Sequence, residues 1–206
     1  MTDLVVATRS IHKLREIREI LGELVGYALL DLNHAGIPET PDEEMIEVFE
    51  TFAENALAKA RYFARKTDSL VLADDSGLCV SALEGAPGVR SKRFSGRTDL
   101  RGDDLDEANN QHLLQLLRSV PFADRDARYV CAAALAFPDG TEKTFLGGCE
   151  GIILEEPRGE GGFGYDPLFF LPSEGATFGE ISATRKHLLS HRARAMQQVG
   201  AALRSR

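Results

Sequence analysis

The chain is poor in cysteine, in basic charge and in long apolar runs, and each shortage excludes a class of protein. Only 3 cysteines, Cys79, Cys131 and Cys149, occur in 206 residues. They are isolated, sit in apolar or glycine-rich surroundings and lack C-x-x-C spacing, so they read as buried thiols in a reducing compartment, with no disulfide framework or structural zinc. Lysine and arginine total 24 against 32 acids, a formal charge of −8. A surface made for nucleic acid is therefore not expected, although a local basic pocket for a small anion stays open. No apolar segment approaches membrane-spanning length, and the N-terminus lacks a basic region followed by a long apolar run. The expectation is a cytoplasmic enzyme or binding protein with no membrane partner.

What is present suffices for one fairly large domain or two small lobes, with 43% hydrophobic and 27% charged residues, as in ordinary globular proteins. The chain is organised around Ser69 to Val80, SLVLADDSGLCV. Leu70 to Ala73 suits a buried strand, and Ser76-Gly77 is a turn signal, so Asp74 and Asp75 are predicted where a strand ends and a loop begins. In open α/β sheets that edge binds ligands. Taken alone, two adjacent acids in a turn read first as a solvated loop or a cap, and the neighbouring motifs must decide.

Upstream, Leu4 to Ala7 reads as a strand and Ile11 to about Glu23 as an amphipathic helix with Ser10 as its N-cap. The intervening loop offers backbone N–H groups, a helix N-terminus and the side chains of Thr8, Arg9, Ser10 and Lys13, a cradle for phosphate. The glycines of a Walker loop are missing from it, and a capped helix with a solvated Lys13 would look the same. Tyr27 to Asn33 is a second strand, and 38–44 an acidic, proline-marked loop. Phe49 to Lys66 is helical, with Asn55 and Lys59 at one margin of its apolar stripe and Glu54 opposite.

Residues 82–96 form a glycine-rich loop carrying Arg90, Lys92 and Arg93. A helix capped by Asp103 or Asp104 follows, with Leu105, Ala108, His112, Leu116 and Leu117 as its apolar side. Tyr129 to Phe137 and Thr141 to Leu154 form a hairpin. In Arg158 to Phe170, four glycines let backbone approach a ligand, and Phe163 and Tyr165 supply stacking faces. One helix is predicted from Lys186 to Leu203, with Arg192 on its buried stripe.

These motifs, ATRSIHKLREI (7–17), TFAENALAKAR (51–61), ADDSGL (73–78), GAPGVRSKRFSG (85–96), GGFGYDPLFF (161–170) and SHRARA (190–195), resemble the inosine triphosphate pyrophosphatases, the Ham1-like family of non-canonical purine NTP pyrophosphatases. The combination of FGYDP with SHR separates that family from the Maf-like pyrophosphatases. The resemblance implies an α/β fold, with a central mixed sheet flanked by helices and a smaller lobe closing a nucleotide-binding cleft, all within one domain over 1–206. It implies a homodimer, Mg²⁺ as cofactor, and hydrolysis of ITP, dITP and XTP to monophosphate and pyrophosphate.

Carried over position by position, the family's phosphate loop falls on Thr8, Arg9, Ser10, Ile11, His12 and Lys13, with Ser10 where asparagine is usual. Asp75 matches the catalytic acid and metal ligand, Asp74 its helper, and Ser76 a substrate contact. Glu47 aligns as the second metal carboxylate, with Glu44 and Glu50 as alternatives. Lys59 matches a lysine beside the phosphates, and Asn55 and Arg93 fall in substrate-binding motifs. Base recognition falls on Phe163, Gly164, Tyr165, Asp166, Lys186, His191 and Arg192. Two other functions suit the same acids: an aspartyl-phosphate phosphatase releasing orthophosphate, and a nucleotide-binding module without turnover.

Overall fold

A computed structural model describes residues 1–205; the side chain of Glu44, one of the alternative metal carboxylates, lies outside the described residues. In chain order the elements are β1 (Thr2–Val6), α1 (Ile11–Leu21), β2 (Tyr27–Asp31), α2 (Phe52–Thr67), β3 (Leu70–Val80), α3 (Gly102–Leu116), β4 (Asp126–Ala136), β5 (Glu142–Ile153), β6 (Phe169–Leu171), β7 (Ala176–Thr177), α4 (Ala183–Leu189) and α5 (His191–Arg204). The strands form one mixed sheet in the order β2-β1-β3-β4-β5-β6-β7. β1 pairs parallel with β2 and β3, whereas β5/β6 and β6/β7 are antiparallel.

The chain divides into two compact units, 1–75 with 131–147 and 191–206, and 76–130 with 148–190. In the first, strand alternation sorts the core into two layers. Leu4, Val6, Leu70, Leu72, Cys131, Ala133 and Leu135 pack with Ile17 and Leu21 of α1 and Met196 and Val199 of α5. Their sequence neighbours Val5, Ala7, Val71, Ala73, Ala132 and Ala134 pack with Ala56, Ala60 and Phe63 of α2. The run of alanines in β4 lets α2 lie close to the sheet, and Gly147 does the same for α5. A Cβ on Gly147 would lie 2.0 Å from the His191 carbonyl oxygen. The second unit packs Leu78, Val80, Leu113, Leu117, Tyr129 and Phe169 around Phe178 and Tyr165.

The mixed sheet with flanking helices is as predicted from sequence, and four local expectations are corrected. β3 does not end at Ala73 but runs through Asp74-Asp75-Ser76-Gly77 to Val80, so the acids lie in mid-strand and Gly77 makes no turn. Burial overrides the local turn signal: Asp74 is 0% and Leu78 0% exposed. The C-terminal helix is two helices, because Ser190 adopts φ −69°, ψ 159° and ends α4 with its N–H on the Lys186 carbonyl. α3 starts after Arg101, with Asp103 and Asp104 in its first turn and not at its cap. Its buried face is Leu105, Asn109, Asn110 and Leu113, while Leu116 is 44% exposed. Two buried asparagines hid that face from a hydropathy reading.

Asp31, at the end of β2, shows how local polar contacts set stability. Its carboxylate accepts from the His34 backbone N–H at 2.8 Å and from Arg18 Nη2 at 3.0 Å. The His34 N–H is the main reason its pKa falls to about 2, against partial burial, with the His34 ring and Arg18 adding to the effect. A carboxyl that titrates lower when folded stabilises the fold above its unfolded pKa of about 3.9. The stability advantage of the native chain over Asp31→Asn is therefore expected to be full above about pH 4 and to disappear as the pH falls to about 2. Urea denaturation at neutral and acid pH measures it; an advantage that persists unchanged below that range contradicts the assignment.

Candidate active site

Because side chains alternate across a strand, Asp74 and Asp75 leave β3 on opposite faces. Asp74 joins the layer of α1 and α5. It is fully buried, with Lys13 Nζ 3.3 Å and Arg192 Nε 3.3 Å from Oδ2. Arg192, itself 1% exposed, is held from the other side by Glu16, whose Oε2 accepts from Nη1 at 2.5 Å. Burial alone would raise the Asp74 pKa, but Lys13, Arg192 and Lys59 overcome it and hold the carboxyl well below the usual range. Asp74 Oδ1 is buried without a hydrogen-bond partner.

Asp75 joins the layer of α2. Asn55 Nδ2 donates to its Oδ2 at 3.0 Å and also to the Phe49 carbonyl at 3.1 Å, while Asn55 Oδ1 accepts from the Phe49 N–H at 2.9 Å. The buried amide thus ties Asp75 to the segment that carries Glu47. One turn on, Lys59 Nζ donates to Glu47 Oε1 and, at 2.5 Å, to the Asp74 backbone carbonyl. α2 can present both because Thr51 caps it, accepting from the Glu54 N–H at 3.2 Å. Glu54 itself is exposed, as the helix wheel predicts.

The charges balance unevenly. Burial raises the Asp75 pKa and repulsion from Glu47 adds to this, against attraction from Lys13 and Lys59. Glu47 is opposed by burial but pulled down by Lys59 and Lys13. For Lys59, burial is outweighed by Glu47 and Asp74, so its ammonium is stabilised. Among the described residues no group of three or more His, Cys, Asp or Glu could hold a metal ion. Asp75 and Glu47 fit a hard cation that takes its remaining oxygens from water and phosphate, the usual habit of Mg²⁺.

At the start of α1, Ser10 Oγ accepts from the Lys13 N–H at 3.4 Å, so the serine is a helix cap. The Ser10 N–H in turn donates to Thr8 Oγ1 at 3.2 Å. Arg9 forms a two-point pair with Glu43 at 2.7 and 2.9 Å and donates to the Ile37 carbonyl at 3.1 Å. It anchors the acidic loop, and Ile11 is 75% exposed. His12 is half-buried, and His191 is buried in the first turn of α5.

In the second unit, Asp166 Oδ2 accepts from the Phe163 N–H at 2.8 Å and from Lys186 Nζ at 2.6 Å. Lys186 Nζ also lies 4.7 Å from the centre of the Phe163 ring. Gly162 has φ +78°, and a Cβ there would stand 2.1 Å from Asp166 Oδ2, so only glycine fits. Phe163 is half-buried and keeps a usable face. Tyr165 does not: it is 3% exposed, and its hydroxyl donates to the Ser91 carbonyl at 2.8 Å, which makes it an anchor. Ser76 is half-buried, whereas Arg93 and Glu50 are exposed.

Sequence reading missed Glu16, Asp106, Asn109 and Asn110. For Glu16 the available signal was an acid next to Ile17 on the apolar side of α1; for the others it was polar residues at i, i+3 and i+4 flanked by Leu105 and Leu113. The different burial of the two acids yields a stability test. Asp74→Ala leaves Arg192 and Lys13 without their shared counter-charge and should cost about 3–5 kcal/mol. Asp75→Asn keeps an acceptor for Asn55 and should cost about 1 kcal/mol or less. Equal losses in urea denaturation would refute the division.

The model of the Ham1 family matches residues 4–202. A dITP/XTP pyrophosphatase of Geobacter sulfurreducens is 50% identical over 196 residues, covering 95% of this chain and 94% of that protein. One from Bacillus cereus is 43% identical over 202 residues, covering 97% and 93%. The structure of a HAM1 protein from Coxiella burnetii superposes with a TM-score of 0.86 at 35% identity, covering all of both chains. With matching motifs in both units and these relatives along nearly its whole length, the chain belongs to the Ham1 family.

Proposed function

We propose that the protein hydrolyses non-canonical purine nucleoside triphosphates, dITP, XTP and ITP, to the monophosphate and pyrophosphate, clearing them from the nucleotide pool. The observation that carries this reading is the pair of carboxylates on one strand: Asp74 held ionised among Lys13 and Arg192, and Asp75 fixed by Asn55 next to the Glu47–Lys59 pair. The relatives named dITP/XTP pyrophosphatase support it.

In this reading the triphosphate meets the N-terminus of α1, where the positive end of the helix and the Lys13 ammonium favour anions. Asp75 and Glu47 hold Mg²⁺, which when bound neutralises phosphate charge and polarises the phosphorus–oxygen bonds. Asp75 orients a water toward the α-phosphorus and takes its proton. The new bond forms from water oxygen to the α-phosphorus, the α–β bridging bond breaks, and pyrophosphate leaves against Lys13 and Lys59. Asp74 touches none of these atoms; its buried charge holds Lys13 and, through its backbone carbonyl, Lys59 in place.

Phe163 offers the purine a stacking face, and the Lys186 ammonium near the same ring donates toward O6 of a 6-oxo purine. Adenine presents an amino group there, two donors then face each other, and the unpaired polar contact disfavours it. We further propose that the two units are the lobes of one domain and that the protein works as a cytoplasmic homodimer. No helix of the described residues is long and apolar enough to cross a membrane.

Incubation with dITP and Mg²⁺, followed by separation of products, is expected to yield dIMP and pyrophosphate, and chelation of the metal to stop it. Release of orthophosphate and dIDP would support the aspartyl-phosphate phosphatase in its place, and unchanged dITP the binding module. Asp75→Asn should lower kcat by about a hundredfold or more with the fold retained, and near-normal turnover would remove Asp75 from the chemistry. Lys59→Ala, which removes the Glu47–Lys59 pair, should also lower kcat, and an unaltered rate would show that the pair has no part in turnover.

A further inference from the structure

The Phe163–Asp166 turn is gripped by α3 at a single peptide position. Gly164 has φ +63°, with nothing within 4 Å of a Cβ built on it, so its glycine answers to backbone conformation and not to space. Its N–H donates to Asp106 Oδ2 at 2.6 Å, and its carbonyl accepts from Asn110 Nδ2 at 3.0 Å. Asp106 and Asn110 are one helical turn apart, so a rigid helix faces both polar groups of one residue. Between them, Asn109 Oδ1 accepts from the Ser95 N–H at 2.8 Å and its Nδ2 donates to the Lys92 carbonyl at 3.1 Å. The same helix face thereby fastens the basic loop as well, and Tyr165 closes the circuit through Ser91.

We propose that Asp106 and Asn110 are positioning residues that set the nucleobase preference of the reaction, by holding the Gly164 peptide so that Phe163 and Asp166 present the stacking face and the Lys186 ammonium in register. The proposal rests on the function inferred above. Stability alone does not account for the residues. Asn110 is 6% exposed and its Oδ1 has no hydrogen-bond partner, an arrangement an apolar residue would avoid. Asp106 accepts from the Gly164 N–H through a carboxylate, a strong and directional bond. Because the Gly164 N–H is committed to Asp106, the glycine contributes a bend to the turn, and the base meets the neighbours that the bend aims.

Steady-state kinetics with dITP and dATP, together with amide hydrogen exchange over residues 160–168, test this on the full chain. Asp106→Ala and Asn110→Ala are expected to raise KM for dITP about tenfold, with kcat within about threefold, and to shrink the dITP-over-dATP ratio of kcat/KM about tenfold. Asp106→Asn, which keeps an acceptor for the Gly164 N–H, should restore KM. Exchange over 160–168 should quicken in the alanine variants while the thermal midpoint stays close to that of the native chain. Parallel losses of kcat and thermal midpoint without rescue by Asp106→Asn, or an unchanged substrate ratio, would overturn the proposal. If the native chain makes no pyrophosphate from dITP, the inferred function fails, and protection of 160–168 by dITP without metal decides the grip: protection in the native chain that is lost in Asp106→Ala supports it, and equal behaviour overturns it.

Discussion

Everything in the first unit depends on keeping one buried negative charge ionised in the middle of a strand. Asp74 is removed from water completely, and an isolated carboxylate there would be neutralised by taking up a proton. Lys13 and Arg192 prevent this from α1 and α5, and Glu16 keeps Arg192 from being a surplus cation. The helices are thus tied to the sheet by charge as well as by the apolar layer of Leu4, Leu72 and Met196. Such a buried set adds little net stability over an apolar replacement, so its value lies in fixing where Lys13 stands.

The strand that holds this charge also separates two tasks. A single residue step along β3 turns Asp75 to the layer of α2, where Asn55 and the Glu47–Lys59 pair occupy its surroundings. Adjacent acids in a loop would share one environment and repel each other; adjacent acids in a strand have different neighbours. One can therefore be a fixed charge while the other, in the proposed mechanism, faces the reacting groups. The second unit uses polar contacts differently. There α3 turns a polar face of Asp106, Asn109 and Asn110 onto two loops rich in glycine and cation, and gives them the shape that their own sequences, permissive at Gly162 and Gly164, do not impose.

What could be read from the sequence and what could not follow the range of the interactions. Local rules located β1, α1, α2, the hairpin strands and the Ser10 cap, because apolar periodicity and capping chemistry act over a few residues. The margin positions of Asn55 and Lys59 on α2 were legible for the same reason. The turn signal at Ser76-Gly77 misled, since pairing within a seven-stranded sheet and burial of Leu78 and Val80 outweigh local preference. So did the unbroken helix through Ser190, and the face of α3, where buried asparagines mimic an exposed surface.

The sequence by itself determined which chemistry is available: two adjacent acids after an apolar run, cations at a helix start, aromatics in a glycine-rich segment, and motifs resembling one family from end to end. Only the tertiary structure decided how those groups divide. That Arg9 belongs to Glu43, that Arg192 serves Asp74 and Glu16, that Tyr165 is an anchor and that Asp106 grips Gly164 all depend on partners 34 to 176 positions away, for Arg9 and for Arg192 with Glu16, or on packing. A side chain's charge is written in its residue type, but what it neutralises is set by which distant segment the fold brings within about 3 Å, the length of a hydrogen bond.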